Sequence, residues 1–176
     1  MKSDLPRTPV ELPILKLPRK VELDPRYAKL SHLLIQNCKP LWAKSTIQIS
    51  QLAFSEKLET ALLAVQGYKH LEPGLEQIDQ RLGNEKKGLT ALLQKQGTSS
   101  SLRISRLLIV ANDGSERFYR ACESTLIKNG DRLRLLRVDV PSERMVEKLF
   151  GRDRAVKALL VSDRDAVTQV LLSLVE

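Results

Sequence analysis

At 176 residues with 42% hydrophobic side chains, the chain is long enough to close one core and too apolar for wholesale disorder. Its 29 Lys and Arg against 21 Asp and Glu leave a net charge of +8 and a pI near 9.7, which points to an acidic partner such as nucleic acid or an anionic membrane surface. The two cysteines (Cys38, Cys122) and two histidines (His32, His70) show no C-x-x-C or H-x-x-H spacing, which excludes a metal cluster of that kind.

Residues 1–25 carry Pro6, Pro9, Pro13, Pro18 and Pro25 among scattered basic residues and are expected as an extended arm, because proline prevents a helix of any length. The start is too broken by proline for a signal peptide, and no apolar run is long enough to span a membrane. A soluble intracellular protein with two buried thiols and no membrane partner is therefore expected. Apolar residues within the arm, Val10 to Leu23, suit a strap that orders on a partner.

From residue 26 onward one domain is expected. Tyr27, Leu30, Leu33 and Leu34 recur at helical spacing up to about Asn37, and Ser55 followed by Glu59 opens a second helix that runs to Gln66. Residues 67–76 read as a loop, followed by a helical run from Ile78 to Leu82. Residues 83–104 read as a polar insert, partly helical from Leu89 to Gln94, with a flexible end at Gly97 to Ser101.

The last third alternates strand and helix. Leu107–Ala111, Leu133–Val138 and Ala158–Val161 have strand character, and Glu116–Ile127, Glu143–Phe150 and Asp165–Leu174 have helical spacing. That order implies an α/β fold: a three-layer α/β/α sandwich around a mixed, mainly parallel sheet, with the N-terminal arm added. This third also holds eleven arginines, whose planar forks suit phosphates and base edges.

The corner Asn112-Asp113-Gly114-Ser115 could cradle a phosphate, hold a catalytic carboxylate or turn the chain. No G-x-G-x-x-G or G-x-x-x-x-G-K-[ST] motif accompanies it, so it reads as a turn in which Gly114 supplies a positive φ and Ser115 caps the next helix. Asp113 and Asp139 both end predicted strands, where open α/β sheets bind ligands, and they define an alternative reading as a small metal-dependent phosphodiesterase. Further ligands for such a metal are missing from the pattern. Near the end, Gly151-Arg152-Asp153-Arg154-Ala155-Val156 can grip a phosphate backbone and press an apolar surface on an exposed base. A helix C-cap at Gly151 with solvated arginines is the competing reading.

LLIVANDGSERFYRACE, RLLRVDVPSERMVEKLFG and RAVKALLVSD, in that order, resemble the second half of the kink-turn RNA-binding superfamily of archaeal and eukaryotic ribosomal proteins. The resemblance covers residues 105–174 well and 46–104 loosely. Within the superfamily, the arm, the polar insert and the VPSER-to-Gly run are most similar to a divergent subgroup that serves eukaryotic nuclear ribonuclease P and MRP. The resemblance implies a non-catalytic protein that binds structured RNA alongside other protein subunits, supports tRNA 5′-end and rRNA processing in the nucleus and nucleolus, and needs no cofactor or metal. A ribosomal or small nucleolar ribonucleoprotein of the same fold is the nearest alternative.

The superfamily's G-x-N-E-x-x-K grip falls here on Gly74 to Arg81. Glycine is kept, but Glu76 stands for Asn, Gln77 for Glu and Gln80 for Lys, with Arg81 next. The implied RNA-binding residues are Gly74, Gln77, Gln80, Arg81, Arg144, Gly151, Arg152, Arg154 and Val156.

Overall fold

The structure, a computed structural model, describes residues 15–97, 102–151 and 156–175. The first part of the chain forms α1 (Arg19–Glu22), α2 (Tyr27–Gln36), β1 (Cys38–Pro40), β2 (Gln48–Ala53), α3 (Glu56–Gly67), β3 (Leu71–Pro73) and α4 (Leu75–Gln96). The second part forms β4 (Arg106–Val110), α5 (Glu116–Lys128), β5 (Leu133–Asp139), α6 (Ser142–Phe150), β6 (Ala158–Val161) and α7 (Arg164–Ser173).

The strands make one sheet in the order β1-β2-β5-β4-β6-β3. β2, β5 and β4 run parallel at its centre, with Ser50 opposite Leu136 and Leu108 opposite Leu135. β6 and β1 run antiparallel to their neighbours, so the sheet is mixed. Alternate side chains of the central strands feed two cores. Leu107, Ile109, Leu136 and Val138 face α2, α3, α6 and α7. Leu108, Val110, Leu133 and Leu135 face α4 and α5. A strand covered on both faces must be apolar at every position, which is why these segments read as continuous apolar runs. The α/β/α sandwich expected from the sequence is thus the fold.

Three caps fix where helices begin. Ser55 Oγ accepts from Leu58 N at 3.2 Å and Ser115 Oγ from Phe118 N at 3.2 Å. Asp163 accepts from Asp165 N and Ala166 N at 3.0 and 3.1 Å, and those backbone bonds hold its carboxyl below the ordinary range.

Several expectations need correction. The arm is not an extension over residues 15–25. Lys16 N donates to Leu102 O and Ile104 N to Lys16 O, each at 2.9 Å, α1 makes one helical turn, and Leu17 and Val21 are buried in the domain's own core. Pro18 precedes that turn and Pro25 follows it, so the prolines bracket the helix instead of interrupting it. The earlier part of the arm lies outside the described residues.

The insert is not separate either. Residues 83–96 continue α4, a helix of 22 residues that ends on Gly97 at φ +61°. Its Glu, Lys, Gln, Leu and Ala content favours helix strongly enough to carry Gly83 and Gly88. The loop expected over 67–76 contains β3, and Cys38 is exposed where a buried thiol was expected. Cys122 is buried, which pushes its thiol up to about 12.

Candidate nucleic-acid interface

Pairing of β3 with β6 decides which loops meet. Pro73 lies opposite Leu159, so the chain leaves β3 beside the point where it enters β6. At that point Gly74 N donates to Ala158 O at 3.0 Å. Gly74 has φ +96°, a conformation that suits glycine, although a Cβ there would meet nothing closer than Gln77 Oε1 at 3.8 Å. The demand for glycine is therefore made by the backbone, not by crowding. Ala111 N donates to Lys157 O at 2.9 Å, which brings the end of β4 to the same rim.

The first turn of α4 points its backbone N–H groups at this rim, and no side chain caps it. Gln77 and Gln80 are exposed on it, while Ile78 between them is fully buried and sets the helix's rotation. Arg81 is exposed but committed. Its Nη1 meets Glu72 at 2.6 Å and its Nε meets Glu85 at 3.2 Å, and the bond from Glu72 leads the causes that raise its pKa. Arg81 therefore braces α4 against β3.

On the other side of β6, Gly151 ends α6 at φ +62°, with its N–H on Glu147 O at 3.0 Å. This is the C-cap reading of the sequence. Val156 is half-buried and packs on the α2–α3–α6–α7 core. Arg152 and Arg154 lie outside the described residues. Arg144, in the first turns of α6, is exposed and forms no ion pair among the described residues. Lys157, half-buried at the entry to β6, and Arg117, exposed in the first turn of α5, are likewise unpaired there. The sequence reading overlooked both. Lys157 could have been found from its place directly after Val156, whereas Arg117 becomes relevant only once the end of β4 is known to reach this rim.

The corner after β4 is structural in every part. Asp113 reaches across to the start of α6 and accepts from Ser142 N at 3.1 Å and Ser142 Oγ at 2.8 Å. A carboxylate at that position caps a helix whose own N-cap residue is Pro141 and favours its dipole. Asp139 accepts from Asn112 Nδ2 at 2.8 Å. Tyr119 donates to Ala111 O at 2.7 Å and accepts from Gly114 N at 3.0 Å. Arg137 closes the corner from below, donating to Leu41 O and Asn112 O at 2.9 and 3.3 Å.

Gly114 does not have a positive φ, contrary to the sequence expectation. It is required because a Cβ would come within 2.8 Å of Tyr119 Cζ and closer still to the Phe118 ring. Among the described residues no group of three or more His, Cys, Asp or Glu side chains could hold a metal ion, and Asp113 and Asp139 each serve a separate internal bond.

No family model matches the sequence, and no curated protein matches it. No described helix is long and apolar enough to cross a membrane.

Proposed function

We propose that the chain is a non-catalytic RNA-binding subunit of a nuclear and nucleolar ribonucleoprotein, in the manner of the ribonuclease P and MRP subgroup it resembles. In that role it would support tRNA 5′-end and rRNA processing beside other protein subunits. The observation that carries this reading is the meeting of two separate segments on one rim. The glycine-started α4 and the loop that enters β6 are joined by the Gly74 to Ala158 bond at 3.0 Å.

Such a rim offers two kinds of contact. The uncapped first turn of α4 presents backbone donors to a phosphate, and Gln77 and Gln80 can donate and accept at base edges. Arg144, Lys157 and Arg117 supply positive charge. Asp113, Asp139 and Glu116 share the same end, with Glu116 held by Arg120 at 2.6 Å, so the described part of the rim is mixed in sign. Phosphate affinity there then depends on the arginine loop, Arg152 and Arg154. Bases pulled out of a sharply bent helix are the substrate this layout fits, because single-stranded bends expose edges that a duplex hides.

The test compares binding of a kink-turn RNA with the same strand closed into a regular duplex. Preference for the kinked form is expected, with log affinity falling linearly in log salt. Arg154→Glu and Lys157→Glu should each weaken binding by about tenfold or more, or ~1.4 kcal/mol. Leu63→Glu, at a 42% exposed position on the outer side of α3, should leave it unchanged. Equal affinity for kinked and regular RNA, or equal losses from all three variants, would refute the assignment.

A further inference from the structure

The far end of the same sheet carries a second surface with different chemistry. α4 is about 33 Å long at 1.5 Å per residue, yet its buried residues are Ile78 and Leu82, near its start. Beyond them the helix leaves the core, and Leu89 and Leu92 are 40% and 53% exposed. This overhang forms one wall of a cavity of about 440 Å³. Pro18 and the start of α7 form the other walls, and Ile104, 2% exposed, lies at its base.

Apolar side chains (Pro18, Leu89, Leu93 and Ile104) line the cavity together with basic ones. Arg19, Lys20, Arg103, Arg132 and Arg164 border the cavity against Asp131 and Asp165. Lys20 is paired with Asp165 at 2.6 Å, Arg103 with Glu22 at 2.9 Å and Arg132 with Glu85 at 2.9 Å. Arg19 and Arg164 are exposed and form no ion pair among the described residues. A helix that projects past its core with leucines a turn apart and cations at the edge is half of a helix-in-groove contact.

We propose that this groove docks an acidic amphipathic segment of a partner protein, with aliphatic anchors between α4 and α7 and carboxylates on Arg19 and Arg164. Charge complementarity selects that occupant. A second copy of this chain would bring +8 to a basic border. An RNA backbone could pair with Arg19 and Arg164 but would leave Leu89, Leu93 and Ile104 unmatched, whereas an acidic amphipathic helix uses both the cations and the apolar wall. The inference does not rest on the RNA reading, since it uses the opposite end of the sheet.

The probe is a labelled short peptide with leucines one helical turn apart and glutamates between them, titrated against the full chain by fluorescence anisotropy. Saturable binding is expected, at least about tenfold tighter than for the same peptide with lysine in place of glutamate. Leu89→Glu should lower affinity by about tenfold, as should the double variant Arg19→Glu/Arg164→Glu, while Leu63→Glu changes nothing. Circular dichroism and the melting temperature of the Leu89→Glu chain should match the parent, because Leu89 lies outside both cores.

Binding that ignores the sign of the peptide, or that survives Leu89→Glu, would overturn the proposal. So would a gain of about tenfold on deleting residues 1–14, which would make the chain's own N-terminus the occupant. Loss of kink-turn RNA binding in Leu89→Glu would mark the groove as an RNA surface. Retained RNA binding with lost peptide binding is the expected result.

Discussion

Glu85 gives the sharpest test of how this fold is held. It lies in the stretch that reads as an insert, yet its carboxylate gathers three guanidinium groups: Arg106 Nε at 3.1 Å, Arg132 Nη1 at 2.9 Å and Arg81 Nε at 3.2 Å. Arg132 and Arg106 are 8% and 18% exposed, and they carry the starts of β5 and β4. Glu85→Gln keeps the side chain's shape but removes the one negative charge that both guanidiniums share. Breaking a fully buried ion pair costs about 3–5 kcal/mol. Because Glu85 is 21% exposed, and Arg132 keeps Leu82 O while Arg106 keeps Ser105 O, the expected loss is nearer ~2–3 kcal/mol.

Urea unfolding reads that loss as a lower midpoint at an unchanged slope. Arg81→Gln is the internal comparison, since Arg81 is 42% exposed and its removal should cost no more than about 1 kcal/mol. The pH dependence has a definite sign. Burial pushes the Glu85 carboxyl up, but the combined attraction of Arg106, Arg81 and Arg132 outweighs it, so the folded value lies below the ordinary one. The stability it contributes is complete above the unfolded carboxylate range and is lost as pH falls through the folded value. Glu85→Gln should lack that acid-side decline. An unfolding free energy within about 0.5 kcal/mol of the parent, or an equal cost for Arg81→Gln, would refute the reasoning.

Deleting residues 1–23 should lower the melting temperature markedly, since burial of Leu17 and Val21 contributes about 1.5–3 kcal/mol each; an unchanged melting curve would mean the arm is dispensable to the fold. Gly114→Ala should cost about 1–3 kcal/mol in denaturant unfolding, because the new methyl meets the pinned Tyr119 ring, and a neutral result would show that the ring can move aside. Asp113→Ala should cost about 1 kcal/mol by removing the cap on α6, while Asp113→Asn keeps an acceptor for Ser142 and should cost less; both are read by thermal unfolding. In a native thiol titration at mildly alkaline pH, one thiol per chain should react promptly, that of exposed Cys38, and the second only in urea, because the Cys122 thiol is buried and raised to about 12.

What was legible from the sequence followed the strength of local signals. β4, β5 and β6 are apolar at successive positions because helices cover both faces, and that pattern is visible without neighbours. Ser55 and Ser115 stand where caps belong and serve as caps. β1 and β3 were not legible, since each is three residues long and ends in a proline at the sheet's edge. The direction of β6 was hidden too, because the alternation of strand and helix does not reveal that the last strand runs antiparallel. In the candidate site, the positive φ of Gly74 and the exposure of Gln77 and Gln80 are features that matching residues to a motif did not address. The commitment of Arg81 was half-visible: Glu85 lies at i+4, but Glu72 comes close only through the fold.

The same pairing changes what the net charge means. Read from composition, +8 suggests a surface rich in phosphate grips. In the fold, Arg26, Arg81, Arg103, Arg106, Arg120 and Arg132 face carboxylates, and Arg137 is spent on backbone carbonyls. Arg134 is half-buried, and that burial lowers its pKa. Arginines without an ion pair among the described residues include Arg117 and Arg144 at one end of the sheet and Arg19 and Arg164 at the other. A guanidinium already matched to a carboxylate gains little from a phosphate, because it must first give up a bond of the same kind. Among the described residues, the arginine charge left without a carboxylate is therefore smaller than the total, and these four arginines lie at two rims, one built of backbone donors and amides and the other bordered by leucines. For the arginines, that division suits the two proposed partners, an RNA and an acidic peptide, better than one polyanion wrapped around the whole domain.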